Sequence, residues 1–202
     1  MSKRGKLHVY VVAPEQVRQY VDDYHAMMRR HTGLISVQPR EFLHVTVQLL
    51  EAHADDVSAA DIAALGAALR AELENLPTFE LTLGPPVIGV HSLGLRSSGI
   101  VPAFTELVRH TRAAAEKILG PQALHDGGAL QRPHASLGYG LADGDSDPLI
   151  GELNALNFDR DPVRFTVDQV ELLAVDQDAT AGVYTWSKLN EIELAPSRAR
   201  VR

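Results

Sequence analysis

Two short motifs in this sequence combine a histidine with a hydroxyl residue two positions later. The first pairs His44 with Thr46, and the second pairs His134 with Ser136. An imidazole takes and gives protons near neutral pH, and a hydroxyl can donate a hydrogen bond to a phosphate oxygen. Two such pairs facing each other would hold one phosphate from both sides. One histidine would activate water or a ribose hydroxyl, while the other would protonate the leaving oxygen without a metal.

Each motif is predicted to lie on a β-strand, where side chains alternate between two faces. The histidine and the hydroxyl then share one face, while the intervening aliphatic residues anchor the strand to a core; these are Val45, Val47, Ala135 and Leu137. One such motif alone is a weak signal, because a strand histidine bonded to its neighbour is common. Of the nine histidines, only these two have Ser or Thr two positions later, and the repetition favours a paired site.

The elements that precede the two motifs form similar units. A helix that starts at Pro14, a loop and a strand lead to His44, and a helix that starts at Pro102, a loop and a strand lead to His134. This repetition predicts two lobes related by a pseudo-two-fold axis.

The whole chain shows a pattern of mixed strands and helices. Strands are predicted at residues 7–13, 42–50, 79–90 (broken by Pro85-Pro86), 131–139, 164–175 and 183–194, and helices at 14–30, 58–76, 102–120 and 149–156. The last two strands are predicted to form a hairpin.

At these motifs the sequence resembles the two-histidine (2H) phosphoesterase superfamily, and within it the bacterial 2′-5′ RNA ligase or RNA 2′,3′-cyclic phosphodiesterase group. That family has a His-x-Thr/Ser-aliphatic motif in each half. Pro133 before the second histidine, the strand ending in Ala13-Pro14 and the closing strand pattern are also similar. The resemblance covers residues 7–194.

The resemblance implies an α+β, bilobal, LigT-like fold with two antiparallel β-sheets and flanking helices around a central cleft. It also implies a phosphodiesterase without metal or other cofactor, acting on 2′,3′-cyclic phosphate or 2′-5′ phosphodiester bonds. The family's catalytic roles carry over to His44, Thr46, His134 and Ser136. Ser136 stands where threonine is more common in the family.

Five more residues are predicted by strand alternation to line the cleft. Arg132 is expected on the face of His134, where it would replace the basic residue that many family members have after the second motif. Phe42 and Gln48 are expected on the face of His44, and Phe42 either stacks a base or packs in the core. His8 and Tyr10 are expected to line the cleft from the first strand. His25, His31, His91, His110 and His125 are expected at the surface.

Charge restricts the partners that this chain can bind. Three basic residues lie in each of two predicted tails, at 1–6 and 195–202. Without these six residues the chain has 13 basic and 26 acidic residues, a net charge of −13. Long duplex nucleic acid needs many basic contacts, so an RNA end, an oligonucleotide or a small cyclic nucleotide is the expected substrate. We expect one domain at 7–194, a monomer, no membrane association and, with no cysteine and no signal peptide, a cytoplasmic location.

Two alternatives remain open from the sequence. The two histidines of the motifs can instead be ligands of a hydrolytic metal, although no carboxylate at ligand spacing supports this. The chain can also be a nucleotide- or RNA-binding module that keeps the cleft with little turnover. Loss of activity with a chelator would support the metal-dependent hydrolase, and tight binding of a cyclic nucleotide without product would support the binding module.

Overall fold

The computed structural model describes residues 5–125 and 132–197, which contain nine strands and five helices. The strands are β1 (Lys6–Val12), β2 (His44–His53), β3 (Phe79–Leu83), β4 (Val87–Ile88), β5 (Ser92–Arg96), β6 (His134–Tyr139), β7 (Val163–Val167), β8 (Gln169–Asp178) and β9 (Val183–Glu193). The helices are α1 (Glu15–Tyr20), α2 (Asp22–Met28), α3 (Ala59–Leu73), α4 (Pro102–Leu119) and α5 (Asp147–Asn157).

The first lobe is built on a four-stranded antiparallel sheet in the order β2-β1-β8-β9. Strand β2, which begins at His44, lies at one edge of this sheet. Strand β8 contains an unbroken run of buried residues because both of its faces are covered.

The second lobe is built on two antiparallel ladders, β3-β7 and β4-β5-β6, with β6 and its His134 at one edge. Pro85 and Pro86 separate β3 from β4, and neither can donate a backbone hydrogen bond to a ladder. The Gly84 amide donates to the Arg96 carbonyl at 2.8 Å and connects the two ladders.

The helices of the two units are exchanged between the lobes. Helix α4 links two strands of the second lobe, yet it packs against α3 and against β2 of the first lobe. Helices α1 and α2 link β1 to β2 of the first lobe, yet they pack against β7 and α5. One continuous apolar core therefore joins both lobes, and the fold is the predicted α+β architecture.

The chain segments that precede the two motif strands are exchanged in the same way. The amides of Ser36 and Gln38 donate to the carbonyls of Tyr139 and Leu137 on β6, both at 2.8 Å. The segment near Leu124 in turn bridges to β2. Each segment covers an edge that would otherwise leave backbone groups unpaired, and together they hold the two motif strands side by side.

Several predicted boundaries are wrong. The predicted helix 14–30 is two helices separated at the buried Val21, and Phe42 lies in a 3₁₀ turn before β2. The predicted strand 164–175 is two strands in different sheets, because the alternation of β7 ends at Asp168 and a doubly covered strand follows. The predicted hairpin is formed by β8 and β9.

Further differences concern β5 and the predicted tails. Strand β5 was not predicted, because Leu93 and Leu95 are too short an apolar pattern among serines and glycines. Lys6 belongs to β1 and pairs with Glu51 at 2.8 Å, and Ala195 bridges to Pro77. Gly5 and residues 196–197 are the other described residues of the predicted tails. The remaining tail residues and Gln131 lie outside the described residues. Among the described helices, none combines the length and apolar character needed to cross a membrane.

Candidate active site

The two motif histidines make the same hydrogen bond. Nδ1 of His44 lies 2.9 Å from the carbonyl oxygen of Phe42, and Nδ1 of His134 lies 3.2 Å from the carbonyl oxygen of Arg132. A carbonyl oxygen only accepts, so Nδ1 is the nitrogen that donates in both rings. Nε2 is thereby left as the acid–base atom of each ring, and in the neutral form it carries the lone pair.

The environment of His44 keeps its imidazole neutral. The residue is 7% exposed, and desolvation by burial lowers its pKa to about 4, while the Phe42 carbonyl acts in the opposite direction and the charge of His134 lowers it further. The last effect means that the two imidazoles are close enough to interact electrostatically. At neutral pH, His44 can therefore accept a proton but holds none to give.

A tyrosine lies close to each motif hydroxyl. Thr46 lies opposite Tyr10 in the β1–β2 register, and Ser136 lies three residues before Tyr139 on β6. Burial raises the pKa of both phenols, and the neighbouring hydroxyls act in the opposite direction. Each motif hydroxyl therefore sits beside a neutral phenol.

Aromatic rings from two other strands enclose His44. The Tyr10 ring is stacked on the imidazole at 3.9 Å with an interplanar angle of 10°. Trp186 lies edge-on to the imidazole at 5.2 Å, and Tyr184 at 6.3 Å. Phe42 packs on Trp186 at 4.9 Å, so it belongs to this wall although it is outside the strand. The wall excludes water and explains the desolvation of His44.

Tyr184 and Trp186 are site residues that the sequence did not indicate. Both lie on β9, more than 130 residues after His44 along the chain. The available signal was their alternation on the predicted final strand, with the only tryptophan of the chain among them. That pattern places the two side chains on one face but does not say which strand they meet.

A β-bulge follows each motif. In the β1–β2 register Val47 has no partner, and in the β5–β6 register Leu137 has none. A bulge inserts one unpaired residue and changes the face on which later side chains lie. The two bulges occupy equivalent positions, three residues after each histidine, which extends the pseudo-symmetry of the two motifs.

The prediction for Gln48 is wrong because of the first bulge. Its register partner is Val9 on the core side of the sheet, and its side chain is fully buried. Its amide donates to the carbonyl of His125 at 3.1 Å, and Arg112 donates to its oxygen at 3.0 Å. Gln48 thus fixes the crossing segment near Leu124 to β2 and does not face the cleft.

His8 and His25 are both buried, although His8 was expected to line the cleft and His25 to lie at the surface. His8 lies on the Tyr10 side of β1, and its Nδ1 is in contact with the Tyr10 hydroxyl, but it is buried behind that ring, where desolvation lowers its pKa to about 3. His25 was expected at the surface and is buried on α2, where desolvation lowers its pKa to about 4. Its helix is buried on more than one side, at Tyr24, His25, Met27 and Met28.

Arg132 lies beside the second motif in a groove of about 680 Å³. The residue precedes β6 and is exposed. The groove is also lined by His134 and by Arg96, which lies opposite His134 in the β5–β6 register. The structure therefore brings a second arginine, which the sequence did not indicate, next to the predicted pair.

A metal would need several ligand side chains together. Within residues 5–125 and 132–197, no group of three or more His, Cys, Asp or Glu side chains is placed to hold a metal ion. The metal-free reaction itself stays a prediction.

Comparisons with known proteins bear on the family and the fold. A comparison with curated proteins finds no match. A solved structure described as a phosphoesterase superposes with a TM-score of 0.69 at 16% identity, covering 95% of this chain and 99% of its own. The protein TT0787 of Thermus thermophilus gives 0.68 at 21% identity, covering 96% and 100%. LigT of E. coli in its apo form gives 0.66 at 17% identity, covering 96% and 99%.

These structures share the fold of this chain along nearly its whole length. The profile of the 2′-5′ RNA ligase superfamily matches residues 12–179, a range that contains both His-x-Thr/Ser motifs and both exchanged segments. This chain belongs to the 2′-5′ RNA ligase superfamily of phosphoesterases.

Proposed function

We propose that this protein is a metal-independent phosphodiesterase that acts on 2′,3′-cyclic phosphate or 2′-5′ phosphodiester bonds of RNA ends or nucleotides. The observation that carries the proposal is the matched pair of Nδ1-to-carbonyl hydrogen bonds at His44 and His134. These bonds leave both Nε2 atoms for proton transfer, and a hydroxyl stands two residues after each histidine to hold the phosphate.

The different environments of the two histidines suggest their roles in hydrolysis. His44 is buried and neutral, so its Nε2 takes a proton from water while the water oxygen attacks phosphorus. The phosphorus–oxygen bond to the ribose breaks, and His134, which is partly exposed, gives its proton from Nε2 to the leaving oxygen. Thr46 and Ser136 donate to the non-bridging oxygens and stabilise their charge.

Net charge and the ligands of structural neighbours both favour a small substrate. The chain has a net charge of −7, which opposes binding of long duplex nucleic acid. Solved structures of E. coli LigT contain 3′-AMP or phosphate, which are small ligands of the expected chemistry. We infer that this protein acts on a small nucleotide or a strand end.

Incubation with a 2′,3′-cyclic nucleotide in the presence of EDTA tests this proposal. The expected result is a single regioisomer, either the 2′-phosphate or the 3′-phosphate, at a rate that the chelator does not change. Loss of turnover with EDTA and its return with added metal would instead support a metallohydrolase. Tight binding without product from this substrate or from a 2′-5′ dinucleotide would support a binding module.

The rate of this reaction is expected to follow a bell-shaped pH profile. Burial lowers the pKa of His44 to about 4, so the base stays unprotonated from neutral pH down to that value and kcat/KM falls only below it. The alkaline limb follows from the proposed mechanism, because the general acid must carry a proton to give to the leaving oxygen. Stopped assays from pH 3.5 to 9, with intrinsic fluorescence to check folding, measure this profile, and a flat profile would contradict paired-histidine catalysis.

A further inference from the structure

The groove beside His134 contains two arginines that the reaction described above does not use. Arg96 faces the same side of the sheet as His134, and Arg132 lies two residues before it. Both side chains are exposed, and both line the groove with Ser97 and Ser98. The groove therefore brings two positive charges and two hydroxyls to one side of the catalytic centre.

Four other arginines of this acidic chain are neutralised by carboxylates. Arg30, Arg40, Arg109 and Arg160 lie within ion-pair distance of Glu152, Glu15, Glu106 and Asp23, respectively. The guanidinium groups of Arg96 and Arg132 have no hydrogen-bond or ion-pair partner within the described ranges. Two unneutralised guanidinium groups in one groove form a local positive potential, which attracts anions.

A glycine gives the Arg96 side chain room on the surface of the sheet. A Cβ atom at Gly89 would approach the Arg96 Nη2 atom to 2.8 Å, so the guanidinium lies directly over this glycine. The groove of about 680 Å³ is within the size range of ligand pockets and is larger than one phosphate requires.

We propose that Arg96 and Arg132 form a second phosphate subsite, which binds the phosphate next to the scissile one in a substrate that carries two phosphates. This inference rests on the proposed function, because it places the scissile phosphate between His44 and His134. Guanidinium groups bind phosphate oxygens through paired hydrogen bonds. The second phosphate is either the next phosphodiester of an oligonucleotide or a terminal 5′-phosphate on the same nucleotide.

Three substrates separate these possibilities. They are adenosine 2′,3′-cyclic phosphate, its 5′-phosphorylated form, and an adenosine dinucleotide that ends in a 2′,3′-cyclic phosphate. The wild-type protein is expected to favour at least one two-phosphate substrate over the first by about 10- to 100-fold in kcat/KM, as charge-assisted hydrogen bonds imply. Preference for the dinucleotide identifies an oligonucleotide phosphodiester, and preference for the 5′-phosphorylated form identifies a terminal phosphate.

Variants then test the two arginines through the ratio of kcat/KM between substrates. Arg96→Gln and Arg132→Gln are each expected to lower this ratio about tenfold, mainly through KM, and Arg96→Lys is expected to retain part of it. Arg109→Gln on α4 removes the same charge outside the groove and is expected to keep the wild-type ratio. A wild-type ratio near one, or a ratio in both groove variants that is unchanged from the wild type, would overturn the subsite.

Calorimetry separates failure of the subsite from failure of the proposed function. If neither these substrates nor a 2′-5′ dinucleotide gives product, the proposed function fails, but binding of adenosine 3′,5′-bisphosphate and adenosine 3′-monophosphate still tests the groove. The bisphosphate is expected to bind about tenfold more tightly to the wild type, and Arg96→Gln and Arg132→Gln are expected to remove this difference. Equal affinities in the wild type would overturn the subsite independently of turnover.

Discussion

Replacing either His44 or His134 with alanine is expected to lower kcat for a 2′,3′-cyclic nucleotide by about 10²- to 10⁴-fold, the usual contribution of one positioned acid or base. Each imidazole is held through Nδ1 to a backbone carbonyl two residues before it, so alanine removes the Nε2 atom that the proposed step needs. The measurement is the steady-state rate with EDTA for both variants and for the double variant.

The kcat of the double variant is expected to be only slightly lower than that of either single variant, because acid and base act in one step and their contributions are not additive. His110→Ala is a matched control, since His110 lies on α4 beside Glu72 and away from both motifs. His44→Asn keeps a polar side chain under the Tyr10 ring and guards against a folding defect, which thermal unfolding also checks. Rates within tenfold of wild type in both single variants would contradict the proposed function.

Replacing Gly138 with alanine is expected to destabilise the protein by about 3 kcal/mol, at the upper end of typical overpacking costs. A Cβ atom there would meet the Ser36 carbonyl oxygen at 1.9 Å and the end of the Met28 side chain at 2.4 Å. The first contact is with backbone, so the segment that covers the edge of β6 must move. That movement weakens the hydrogen bonds from Ser36 and Gln38 to β6.

Thermal and denaturant unfolding measure this effect, and a decrease in Tm of roughly 6–12 °C corresponds to it for a chain of this size. Gly151→Ala is the control, because a Cβ atom on this exposed position of α5 meets nothing within 4 Å. Alanine there is expected to raise stability by about 0.5–1 kcal/mol through helix propensity. Equal stability of the two variants would show that the Ser36 crossing does not constrain β6.

The local geometry of each motif follows from a few neighbouring residues, and the sequence was sufficient to predict it. Strand alternation places His44 with Thr46, and His134 with Ser136. The α+β fold was also predictable, because its periodicities and proline-started helices are local patterns and the motifs resemble one family. Boundaries were less well predicted where a strand is short, as in β5, or changes sheets, as at Asp168.

Tertiary structure alone decided the features that depend on residues far apart in the chain. The bulge at Val47 turned Gln48 toward the core, because register is set by the partner strand. The low pKa of His44 arises from rings on β1 and β9. The groove with Arg96 and Arg132 exists because an unpredicted strand pairs with β6. Sequence determines which side chains share a face over a few residues, whereas packing determines which faces meet.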